Sequence, residues 1–130
     1  MVDHRTALGR ARGRGASKTG VSRFIGERVS GAALVFLCLW AVAAALRLRH
    51  GGFDLASAWL GSPVNATLLA LLTLASFYHM SLGLSVVIED YIGRPITKSL
   101  LLLANTFTCA AGTVLTMVCL LKVAFGGGVS

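Results

Sequence analysis

The stretch 64-VNATLLALLTLASFYHMSLGLSVVI-88 has no Asp, Glu, Lys or Arg and a single histidine, His79, and runs directly into 89-EDY-91. An α-helix rises about 1.5 Å per residue, and about 20 apolar residues cross the ~30 Å hydrocarbon layer of a bilayer. This stretch is long enough to do so. Two further runs flank it and carry no charge at all: Val29 to Leu46, and Ser99 to Leu121. The first is the shorter, and extends upstream through Phe24 and Ile25 if Glu27 and Arg28 snorkel or pair at the interface. Three spans account for most of the 130 residues and leave no soluble domain. The expected fold is an all-α membrane protein with three transmembrane helices.

Composition agrees, with 55% hydrophobic and only 13% charged residues, about half the charged share of a soluble domain. The positions of the twelve basic residues set the expected orientation. Arg5, Arg10, Arg12, Arg14, Lys18, Arg23 and Arg28 precede the first span, and Arg94 and Lys98 follow the second. Only Arg47, Arg49 and Lys122 lie on the other side. The expectation is N-in, C-out. The Arg-rich, acid-poor start is a property shared with mitochondrial transit peptides, which keeps a mitochondrial inner membrane as a less favoured location. A secretory signal is disfavoured by the polar chain ahead of the first apolar run.

The formal net charge of +7 therefore reflects topology and contact with anionic headgroups in the lipid membrane. No aromatic residue interleaves with the arginines before Arg23, so no stacking platform for bases exists and no nucleic acid is expected. Cys38, Cys109 and Cys119 all fall inside spans without metal-site spacing, and read as buried small apolar side chains.

The chain divides into a basic, glycine-rich cytoplasmic segment over 1–23, a three-helix anchor over 24–125, and a frayed end over 126–130. The helices are expected at about 24–47, 63–92 and 97–123. Gly51 and Gly52 break the first from the second, followed by a short interfacial stretch anchored by Trp59. Ser62 and Pro63 suit the N-cap and first position of helix two, and Gly93 a left-handed cap at its end. Ser30 to Ala33 form a cluster of small residues that permits close helix approach.

At 100° per residue, Gly83 and Asp90 return to within about 40° of His79 on helix two. One face thus carries a possible metal ligand deep in the membrane, a missing side chain one turn on, and a carboxylate about 16 Å away at the boundary. Each residue also has a plainer reading. An intramembrane histidine serves helix–helix hydrogen bonds or a proton relay. Gly83 serves helix packing, Glu89 and Asp90 answer Arg94 and Lys98, and Tyr91 belongs to the aromatic belt.

Taken together, His79, Gly83, Asp90 and Tyr91 form the pattern H-x3-G-x6-D-Y. With the length, the three spans, "ALGR" and "GRGASKTG" in the leader and "ERVSGAAL" into helix one, the chain resembles the small membrane-anchor subunit of succinate dehydrogenase, respiratory complex II. The resemblance covers nearly the whole chain, and the family-like leader implies a bacterial inner (cytoplasmic) membrane. It implies half of a heterodimeric haem-binding helical bundle, whose other half is a second, cytochrome b-type anchor subunit. It further implies that His79 is one axial ligand of haem b, with the second ligand from that partner, and that Gly83 gives the cofactor room. Tyr91 would hydrogen-bond a ubiquinone carbonyl, Asp90 would pair with a basic partner group and shape the proton path, and Arg28 would lie near quinone and haem propionates. A flavoprotein subunit and an iron–sulfur subunit would supply electrons, since this chain has neither a cluster-binding cysteine pattern nor a dinucleotide fingerprint. The chain would then be non-catalytic alone, a part of succinate:ubiquinone oxidoreductase.

One departure is visible. Relatives with this leader often carry a tryptophan-containing cluster before helix one, where this chain has "SRFIGER" with only Phe24. Two rivals stay open on the residues: a non-redox transporter or channel component that uses His79 in a proton path, and a haemless anchor that keeps the quinone site.

Overall fold

The computed structural model describes residues 6–8 and 19–126; the expectations for the rest of the N-terminal segment and for 127–130 lie outside the described residues. Over 19–126 the described residues form, in order, α1 (Thr19–Leu48), α2 (Gly52–Leu60), α3 (Pro63–Tyr91) and α4 (Pro95–Phe125). Among the described residues there is no strand. The helices α1, α3 and α4 are each long and apolar enough to cross a membrane. At 29 to 31 residues they measure about 45 Å, longer than the hydrocarbon layer, so their ends reach the headgroups.

Backbone polar groups cannot stay bare in hydrocarbon, and helices satisfy them internally. The hydroxyls within the spans follow the same rule. Thr67, Thr73, Ser85, Thr106, Thr113 and Thr116 each donate to the carbonyl four residues back, at 2.7–3.0 Å.

The turns follow from local chemistry. Gly51 N–H bonds Leu48 O at 3.0 Å to close α1, and Gly52 adopts φ +65°, a left-handed conformation that favours glycine. Pro63 starts α3 after extended Ser62, whose side chain makes no capping bond. Asn65 Nδ2 instead donates to Trp59 O at 2.9 Å and ties the corner between α2 and α3. Trp59 stacks on Trp40 of α1, with ring centroids 5.5 Å apart. At the other end α3 stops at Tyr91 through extended Ile92, and Gly93 has no positive φ. The left-handed cap expected there is absent because Ile92 has already turned the chain into the extended path that precedes Pro95.

The path is up, down, up, with α3 in the middle. Both α1 and α4 pack against α3, yet they make no close approach to each other, so one face of α3 is left without a helix from this chain. The α3–α4 seam is held by Asn105, which is buried and whose Nδ2 donates to Ser81 O at 3.0 Å and to Ser85 Oγ at 3.2 Å. Cys109 Sγ lies 3.5 Å from Asn105 Oδ1. One turn further, the Phe77 ring lies against bare Gly112. Of the three cysteines only Cys109 is buried. Cys38 and Cys119 are exposed, so the expectation of three buried cysteines holds for Cys109 alone, the one seated in the α3–α4 seam.

Candidate functional site in the membrane

The small-residue face of α1 receives two aromatic side chains of α3. The Tyr78 hydroxyl passes so close to Gly26 that a Cβ there would lie 2.6 Å from it, and the His79 ring lies over Gly31. His79 Nδ1 is 3.0 Å from Ser30 Oγ, and that hydroxyl also donates to Glu27 O at 3.2 Å. Ser30 is a buried polar residue, so no lipid or water stands between it and the ring. A groove of about 580 Å3 lies beside this contact, lined by Ile25, Gly26, Val29, Ala33, Leu74, Ala75 and Tyr78 together with Ser22 and Ser30.

His79 sits at the edge of the free face of α3. Along that face Met80, Gly83, Val87 and Asp90 are exposed, and a Cβ at Gly83 would meet nothing within 4 Å. Room thus exists beside the imidazole, on the side that α1 and α4 leave open. Tyr91, at 83% exposure, projects from the last residue of α3. It lies about 18 Å along the axis from His79 and about 120° round it, so the two share a helix without sharing a face.

The carboxylates do not behave alike. Glu89 Oε2 accepts from Arg23 Nη1 at 2.7 Å, an ion pair from α1 to α3, and Lys98 Nζ donates to the Glu89 backbone carbonyl at 2.8 Å. In place of the plainer reading, in which Glu89 answers Arg94 and Lys98, the two contacts form a clamp joining three helix ends. Asp90 makes no hydrogen bond or ion pair among the described residues. Its carboxylate remains available to a group from outside the chain. Arg28 is exposed, with its guanidinium 5.2 Å over the Phe24 ring. The structure does not bring it into contact with His79, Asp90 or Tyr91.

Sequence reasoning missed Ser30 as a partner of His79, Arg23 as the partner of Glu89, and Asn105. Ser30 carried a weak signal, a hydroxyl among glycine and alanine. The others carried none beyond residue type, since 66 residues separate Arg23 from Glu89.

The arrangement fits a haem ligand on one count above all. A ring nitrogen held by a buried hydroxyl leaves the other nitrogen to bind iron, the usual support of a ligating histidine. Among the described residues no three of His, Cys, Asp and Glu converge on one point.

Over residues 2–121 the sequence matches the family described as succinate dehydrogenase/fumarate reductase transmembrane subunit. It is 28% identical over 121 residues to the succinate dehydrogenase hydrophobic membrane anchor subunit of Rickettsia conorii, covering 92% of this chain and 96% of the relative. It is 29% identical over 102 residues to the same-named protein of Rickettsia bellii, covering 78% and 82%. No solved structure matches it. With three spanning helices and a family match over almost its full length, the chain belongs to the succinate dehydrogenase/fumarate reductase transmembrane subunits.

Proposed function

We propose that this chain is the membrane anchor of a succinate:ubiquinone oxidoreductase, contributing His79 to a haem b and Tyr91 and Asp90 to the ubiquinone site. The observation that carries the reading is the family match over residues 2–121, joined to an imidazole held at Nδ1 beside an open Gly83. A second anchor subunit would cover the free face of α3 and supply the other residue that holds the haem. Flavoprotein and iron–sulfur subunits would dock at the end where Arg23, Glu89 and Lys98 gather, the cytoplasmic end in the N-in orientation. The membrane is then the bacterial inner membrane.

When bound, the haem supplies a one-electron store beside the route to quinone. The residues of this chain do the remaining work. His79 would hold the haem iron through the neutral imidazole, and Gly83 would leave space for a flat ring system along α3. Quinone reduction to quinol takes up two electrons and two protons. The Tyr91 hydroxyl donates a hydrogen bond to a quinone carbonyl and polarises it. Asp90, exposed beside it, accepts a proton from water and passes it on. Arg28, near the same end of α1, offers a positive charge to propionates or quinone.

The test is a reduced-minus-oxidised visible spectrum of the chain purified in mild detergent with its co-purifying partners. A sharp b-type α band is expected, lost or displaced in His79→Ala. Tyr91→Phe should keep the band and lower succinate:quinone turnover on the order of 10- to 100-fold. A flat spectrum from intact wild-type material would remove His79 from iron and favour a haemless anchor or a proton-path protein.

A further inference from the structure

We infer that Ser30 is a positioning residue for His79: its oxygen accepts the Nδ1–H of the imidazole and so presents the Nε2 lone pair for iron. The inference rests on the proposed haem role of His79 and names the group that selects the ligating tautomer.

A serine hydroxyl has one hydrogen and two lone pairs. The two contacts of Ser30 Oγ are Glu27 O at 3.2 Å and His79 Nδ1 at 3.0 Å. A carbonyl only accepts, so the hydroxyl hydrogen is committed to Glu27. The oxygen then has only lone pairs to offer the ring, and Nδ1 must carry the proton. A neutral imidazole protonated at Nδ1 has its free lone pair at Nε2. The opposite tautomer, with the hydroxyl donating to Nδ1, would leave a proton on Nε2 and no lone pair for a metal.

Burial makes this choice firm. Ser30 is 6% exposed, so no solvent competes for its oxygen. The ring also lies over Gly31, where a Cβ would meet Cε1 in ordinary van der Waals contact at 3.5 Å, so α1 backs the imidazole on this side. Tyr78 lies against Gly26 one turn away and holds α1 and α3 in the same register. An Nδ1–H donated to an oxygen also makes the imidazole a stronger donor at Nε2, which favours ferric over ferrous iron.

The experiment uses the assembled complex, purified from membranes with wild-type chain, Ser30→Ala and Ser30→Thr. Haem content, an optical redox titration and the electron paramagnetic resonance of the ferric form are measured. In Ser30→Ala the midpoint should rise, with the ferric-to-ferrous ratio at a fixed ambient potential falling severalfold and at most about tenfold, ~59 mV for one electron. The ferric g values should move as the ring loses its fixed orientation. Ser30→Thr keeps a hydroxyl able to bond the same carbonyl, and should return both quantities to wild type. If Ser30→Ala does not assemble, Ser30→Cys, a weaker acceptor of similar size, should give the same upward shift. An unchanged midpoint and unchanged g values in the assembled Ala or Cys variant would overturn the role of Ser30 while leaving His79 on iron. A wild-type complex with no b-type band would overturn the haem reading and this inference with it.

Discussion

His79 and its neighbours show how far spacing alone reaches. The intervals from His79 to Gly83 and Asp90 are local, and one helix period suffices to place them on a common face. The structure leaves that face open and Gly83 bare. The partners that restrain these residues are not local. Ser30 is 49 residues from His79, and in sequence it reads as one more small residue in a packing cluster. Glu89 has Arg94 and Lys98 near it in sequence, but its carboxylate pairs with Arg23, brought alongside by the antiparallel α1. The pair is more than a third exposed at a helix end, where screening weakens it. Glu89→Gln should therefore leave accumulation of the complex close to wild type. Arg23→Glu, which sets two carboxylates side by side, should lower it. The double reversal Arg23→Glu/Glu89→Arg should restore most of the loss, read as haem per milligram of membrane protein.

Helices were legible as elements because a bilayer admits so few ways to satisfy a backbone, and an uncharged run of spanning length has to be helical. Their contacts were not legible. The outer faces of α1, α3 and α4 are as apolar as their seams, so hydrophobic periodicity carries little of the usual information about what packs where. The seam between α3 and α4 rests instead on Asn105 and Gly112. Removing the Asn105 side chain takes two hydrogen bonds away from α3, but Ser85 keeps its own bond to Ser81 O at 2.8 Å, and the one group left without its acceptor is the weakly polar Cys109 thiol. Asn105→Ala should cost about 1 kcal/mol, measured as unfolding in mixed detergent. Gly112 is the harder constraint. A Cβ there would lie 2.6 Å from Phe77 Cε1 and 2.9 Å from Cζ, inside any permitted contact. Gly112→Ala should destabilise by about 1–3 kcal/mol. Combining it with Phe77→Leu should recover part of that loss, since the smaller side chain vacates the space. If the two substitutions were merely additive, the contact would not be what limits the approach of α3 to α4.

At the scale of the whole molecule, the three spans form an open row. A closed three-helix bundle would pair every helix with both others, and here α1 and α4 make no close approach. The uncovered side of α3 carries Met80, Val87 and Gly83, with Asp90 at its boundary end and His79 at its edge. A face made only for lipid has no need of a glycine or an unpaired carboxylate, since both cost helix stability or membrane insertion. Their presence on one stripe beside a restrained imidazole supports the proposal above, in which a second anchor subunit and a haem would lie against this face. Gly83 separates this from a structural account. Its Cβ would meet nothing within 4 Å in this chain, so Gly83→Leu should leave membrane insertion and the chain's own packing intact. The same substitution should exclude whatever lies against the helix. The expected outcome is wild-type accumulation of the chain expressed alone, together with loss of the b-type band and of the second anchor subunit when the whole complex is expressed and purified. Were Gly83→Leu to retain both, the occupied face of α3 would have to be sought elsewhere on the row.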